Sequence, residues 1–192
     1  MERLNAFSDG VFAIVITILV LELHPPHETS LRALIELWPS AVSYAVSYLF
    51  LAIVWLNHHH LLRFASRATG RLIWANFGHL FSVSLVPFDT AWVAGSRLSG
   101  LAVACYAFIF GTVNLSYMAL CAETIDRQAK DAIPGSARGF MRVRAALTLA
   151  IFGLATIAGW VYPIGGIALI VVCLMLYLQP GSARDAFEPT PP

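Results

Sequence analysis

Apolar and polar positions along this chain fall in long blocks rather than in the short periods of a water-soluble domain. Six mostly apolar stretches, about 6–23, 35–56, 72–93, 98–121, 143–161 and 163–178, are separated by short connections. Each is near the ~20 residues with which a helix crosses a hydrocarbon core of about 30 Å, the last being the shortest. The connections carry breakers and turn formers: His24-Pro25-Pro26-His27, Arg67-Ala68-Thr69-Gly70-Arg71, Gly95-Ser96, Pro134-Gly135-Ser136, and Pro163 with Gly165-Gly166. The pattern predicts an all-α polytopic membrane protein with six transmembrane helices over residues 1–179 and no re-entrant pore loop. A disordered tail is expected over 180–192, where four of thirteen residues are proline.

Composition agrees with this reading. Of 192 residues, 58% are hydrophobic and only 12% charged, with a mean hydropathy of +0.73; soluble domains carry roughly 25% charged residues. A net charge of +1 gives no hint of a nucleic-acid partner. Cys105, Cys121 and Cys173 lie in apolar stretches, an odd number with no zinc, redox or disulfide spacing. The first apolar run is long for a signal peptide, begins with an aspartate and is expected to be retained. With six spans, Arg3, Arg63, Arg67, Arg71, Arg127, Lys130, Arg138, Arg142, Arg144 and Arg184 fall on the N-terminal side, and only Arg32 and Arg97 opposite. That bias predicts both termini to be cytoplasmic. No soluble domain is left over for an enzyme's chemistry.

The most informative segment is Arg3 to Leu23, RLNAFSDGVFAIVITILVLEL. Arg3, Ser8 and Asp9 sit directly against an almost wholly apolar run, so the first helix carries a carboxylate on its early turns. Near hydrocarbon such a group needs partners. Further along, Ile14, Ile18 and Leu21 recur at i, i+4, i+7, one stripe of a helix, with Thr17 beside them. A stripe of this kind lines either a pore or a helix–helix or lipid contact.

Polar groups within the other spans cluster in the first half of the chain. The second span brings Ser40, Ser43, Tyr44, Ser47 and Tyr48 and ends in Trp55, Asn57 and His58-His59-His60; the third brings Trp74, Asn76, His79, Ser82, Ser84, Pro87 and Asp89. The end of span two and the start of span three share the depth of Asp9. A buried network of Arg3, Ser8 and Asp9 with His58 or His59, Asn76 and Trp55 is therefore expected. Successive helical residues point about 100° apart, so His58, His59 and His60 cannot all face one ion, and no metal site is predicted. The last three spans, with the small residues Gly153, Ala155, Ala158 and Gly159, read as lipid-facing support.

Arg3, Phe7, Ser8 and Asp9 form the pattern R-x-x-x-F-S-D at the start of a first transmembrane helix. This resembles the signature of the transmembrane protein 175 family of potassium channels, found in endolysosomes and, as shorter forms, in prokaryotes. The similarity continues through Gly10 to Leu23, Trp55, His58, His59, Trp74, Asn76 and Pro87. It implies a homotetramer in the cell membrane, of the prokaryotic inner-membrane kind, with the first helix of each of four subunits lining the pore. The family has no carbonyl filter. The resemblance places the constriction on Ile14, five residues beyond the motif aspartate, with Ile18 and Leu21 on the same face and Thr17 at a hydroxyl position tied to selectivity.

An aliphatic ring offers no ligand, so a permeant ion must shed part of its water there. Potassium holds its shell less tightly than sodium, and the expected preference for potassium is modest. Apart from permeant potassium, no cofactor is expected. The rival reading is a proton-coupled carrier or proton-conducting channel using Asp9 with His58 or His59. Carriers, however, usually show internal repeats and interrupted helices.

Overall fold

A computed structural model describes residues 1–26, 28–128 and 133–178. The described chain is all-α, with eight helices: α1 Glu2–Leu21, α2 Leu31–Glu36, α3 Trp38–Leu62, α4 Gly70–Ser84, α5 Val86–Gly95, α6 Gly100–Cys121, α7 Gly135–Val161 and α8 Pro163–Leu178. A π-helical turn, Ala122–Asp126, prolongs α6. Local chemistry sets several starts. The side chains of Ser30, Thr69 and Ser99 accept from the backbone N–H groups of Ala33, Leu72 and Ala102, capping α2, α4 and α6.

Among the described residues, four helices are long and apolar enough to cross a membrane: α1, α3, Gly100–Asp126 and α7. The expected third span, 72–93, is not one helix but two. Pro87 has no N–H to give the Val83 carbonyl, and its ring crowds that turn, so the helix breaks at Leu85 between α4 and α5. The fifth expected span is longer than 143–161, because the basic segment from Gly135 is already helical. The expected sixth span corresponds to α8, of 16 residues. The tail expectation for 180–192 lies outside the described residues.

The main core is built around three rings. Phe50 of α3 stacks on Phe110 of α6 with centroids 3.7 Å apart, and Phe152 of α7 meets both edge-on at 6.1 and 5.8 Å. A smaller core, with Leu61, Leu62, Leu72, Leu120 and Ile125, closes the end where α3 finishes and α4 begins. This corrects the reading of the fourth span as a lipid-facing support. Helix α6 is central: Val103, Tyr106, Ala107 and Phe110 are fully buried, and the helix packs against α4, α5, α7 and α8. Its exposed positions, Leu101, Phe108 and Leu115, are apolar as well, as expected of a helix that meets lipid wherever it does not meet protein.

Small residues bring α6, α7 and α8 together. A Cβ on Gly166 would come within 2.6 Å of the Gly159 Cα, and one on Gly159 within 2.9 Å of Val103. Gly153 has no such role, since a Cβ there would meet nothing within 4 Å.

Candidate ion pathway and its polar anchor

Helix α1 has two unlike faces. Ser8, Phe12, Val15 and Leu19, at i, i+4, i+7 and i+11, are buried against the subunit. On the other side Ile14 is 61% exposed, Ile18 37% and Leu21 73%. Thr17 is exposed between them and donates its hydroxyl to the Ile14 carbonyl at 2.8 Å. Its one hydrogen is thereby used within the helix, and the outward lone pairs of its oxygen are acceptors only. Among the described residues, the four named for the constriction thus share an outward face, most open at Ile14 and Leu21 and partly covered at Ile18.

The inner face is anchored by a chain of hydrogen bonds. The His58 Nε2–H donates to Asn76 Oδ1 at 2.7 Å; the Asn76 amide donates to the Ser8 hydroxyl at 3.0 Å; Ser8 donates to the Leu4 carbonyl at 2.9 Å. An amide oxygen only accepts, which puts the proton of His58 on Nε2. All three side chains are buried. The His58 ring stacks on His79 with centroids 5.6 Å apart and lies 5.4 Å from Phe12. His79 in turn meets Ser116 at 3.0 Å. The last turn of α3, the second turn of α4 and the second turn of α1 are thus pinned at one level.

Asp9 is held separately. Its carboxylate accepts from Trp55 Nε1 at 2.9 Å, on the more exposed side of the α1–α3 seam. The Trp55 ring lies 5.6 Å from the exposed His59, and Phe7 meets Phe77 edge-on at 5.5 Å. Arg3 is exposed, and among the described residues it forms no ion pair with Asp9. The expected single network is therefore two: a buried Ser8–Asn76–His58 relay and a half-exposed Asp9–Trp55 pair. The physical reason is helical geometry. Ser8 and Asp9 point about 100° apart, so one carboxylate cannot share the inward partners of the serine before it.

Sequence reasoning missed a second polar cluster. Ser47 of α3 is hydrogen-bonded to both Thr90 of α5 and Tyr106 of α6 in the main core. Tyr106 sits among apolar neighbours in the chain, and nothing local links it or Thr90 to Ser47. Among the described residues, no group of three or more histidine, cysteine, aspartate or glutamate side chains is placed to hold a metal ion.

The segment that carries this geometry has relatives. The sequence profile described as endosomal/lysosomal potassium channel TMEM175 matches residues 3–87, from the first turn of α1 to the first turn of α5. A potassium channel of Chryseobacterium sp. (strain P1-3) is 33% identical over 184 residues, 93% of this chain and 92% of that one. The chain belongs to the TMEM175 family. The resemblance carried by Arg3, Phe7, Ser8 and Asp9 is borne out by these matches.

A potassium channel of Chamaesiphon minutus is 32% identical over 82% of this chain and 85% of its own length. The crystal structure of a lysosomal potassium-selective channel TMEM175 homolog from the same organism superimposes with a TM-score of 0.79 at 26% identity, covering 92% of this chain and 95% of that one. The endosomal/lysosomal proton channel TMEM175 of Homo sapiens is 36% identical over 86 residues, 37% of this chain but only 17% of the human protein. This TMEM175-family chain is a multi-pass membrane protein of a family of ion channels, not of enzymes.

Proposed function

We propose that four copies of this chain assemble in the cell membrane, the inner membrane of a prokaryote, as a potassium-permeable channel. Six spans serve the fold: α1, α3, the broken pair α4 and α5, α6, α7 and α8, with both termini cytoplasmic and no re-entrant pore loop. One copy of α1 cannot enclose a path, and a fourfold axis beside its outward face makes four such copies a closed wall. Ile14, Ile18 and Leu21 form the hydrophobic constriction, with Thr17 oxygens turned toward a passing cation. The reading rests on one observation above all: three large aliphatic side chains of the first helix stand uncovered on one face, while the opposite face is locked into the subunit. Solvent-filled at four subunits, that face passes an ion only with partial loss of its water, which favours potassium over sodium modestly.

Purified protein in planar bilayers under bi-ionic potassium and sodium gradients tests this directly. A reversal potential that favours potassium supports the channel; no current at any potential, from protein shown by mass to be tetrameric, overturns it. The relatives named as proton channels favour a second reading, conduction of protons along the same path. Currents that follow a pH gradient with potassium absent would establish it.

A further inference from the structure

Asp89 lies in the first turn of α5, the second half of the broken span. Six residues separate it from the end of α5 at Gly95, which places it about 9 Å inside that end. Its side chain is fully buried, and neither carboxyl oxygen has a hydrogen-bond partner. The helices packed on α5 are α1, α3, α4 and α6. Among the described residues, the titratable groups within electrostatic reach of Asp89 are Cys105 and Tyr106 of α6, a thiol and a phenol that cannot counter a negative charge. Helices α1, α3 and α4 bring no charged side chain to it.

The neighbouring hydroxyls have nothing to spare. Thr90 donates to the Val86 carbonyl at 2.7 Å and meets Ser47 at 2.6 Å; Ser47 also bonds to Tyr106, whose hydroxyl reaches the Ser43 carbonyl at 3.2 Å. Three hydroxyls have three hydrogens, and these contacts use all of them. An ionised carboxylate at this place would have no hydrogen-bond donor and no cationic side chain, only the partial charge of the α5 N-terminus, and buried carboxylates so placed take up a proton.

We propose that Asp89 is a proton-binding site, its side chain carried as the neutral acid with α3, α5 and α6 packed around it. The proton comes from water and forms one O–H bond on the carboxyl group; no other bond changes. Its loss would set a bare charge in a junction against which α1 also packs, so occupancy of the site bears on the seat of the first helix. The inference uses the subunit fold alone and stands whether or not the pore reading does.

Infrared spectroscopy of the full-length protein in lipid vesicles at pH 7 is the direct test. The expected result is a carboxylic-acid C=O band present in the wild type, absent in Asp89→Asn, and unchanged by potassium. Identical spectra in that region, or a band that disappears when potassium is added, would overturn the proposal, the latter by showing a metal cation as the counter-charge. Asp89→Leu serves as the infrared reference if the asparagine variant does not assemble. Unfolding equilibria supply a second readout. Above pH about 4, where an unfolded carboxyl has lost its proton, the folded-to-unfolded ratio of the wild type should fall about tenfold per pH unit relative to the variant, for as long as the folded form keeps its proton. A difference between the two proteins that does not change with pH contradicts the site.

Discussion

Ile14 and Val15 are adjacent in the chain and stand on opposite sides of the subunit boundary, 61% and 4% exposed. The step of about 100° per residue turns Val15 into the core with Phe12 and Leu19, and turns Ile14 out with Ile18 and Leu21. The rotation of α1 is held by the Asn76–Ser8 bond, which points Ser8 inward. This arrangement makes the two faces of one helix separately testable.

Cysteines at positions 14, 18 and 21, probed with a water-soluble thiol reagent during recording, should block the current. Val20 is also exposed, at 49%, yet lies about 120° from Ile14 around the helix. Cysteine there should be modified with little block. Block that follows position 20 instead would move the pore wall to another face. Positions 15 and 19 are unsuitable as silent controls, because their side chains fill the core.

Truncating the constriction and truncating the core should have opposite signatures. Ile14→Ala widens a ring of mostly exposed side chains, so conductance should rise and potassium preference fall, with thermal stability changed by less than about 0.5 kcal/mol. Leu19→Ala deletes a buried side chain and should destabilise by about 2–5 kcal/mol. Single-channel recording and thermal unfolding in detergent distinguish the two. A loss of stability at position 14 as large as that at position 19 would argue that Ile14 packs against protein rather than water.

The buried relay should matter to folding more than the motif aspartate does. Asn76→Ala leaves the His58 Nε2–H without an acceptor at full burial, at a cost of about 1–3 kcal/mol, while Ser8 loses the donor it accepts from and keeps its bond to the Leu4 carbonyl. Trp55→Phe removes only the donor to Asp9, on the half-exposed side, and should cost about 1 kcal/mol or less. Monodispersity and melting temperature of the two variants give the order. Ion selectivity of whatever assembles should be unchanged in both, since neither residue lies on the outward face.

Close helix approach on the far side gives a test with an internal control. Gly166→Ala drives a methyl against the Gly159 backbone and should destabilise by about 1–3 kcal/mol. Gly153→Ala meets nothing within 4 Å, and should be neutral or stabilising by up to about 1 kcal/mol through helix propensity. Equal melting temperatures would show that α7 and α8 relax apart without cost.

Much of this protein is legible one helix at a time. The long apolar blocks announce an all-α membrane protein, the motif at Arg3, Phe7, Ser8 and Asp9 points to the family, and the period of Ile14, Ile18 and Leu21 groups them on one stripe. Pro87 contains the break between α4 and α5, although the apolar run around it reads as a single span. Periodicity sets angles within a helix, but not which way the helix is turned. Only the tertiary structure decided that the isoleucine stripe faces outward, that Ser8 and not Asp9 meets Asn76 and His58, and that α6 is central rather than peripheral. Each of these depends on what neighbouring helices offer at the same depth: an amide for a hydroxyl, an indole N–H for a carboxylate, a glycine for close approach. Those partners lie tens of residues away in the chain, 68 for Ser8 and Asn76 and 46 for Asp9 and Trp55, and no local pattern couples them.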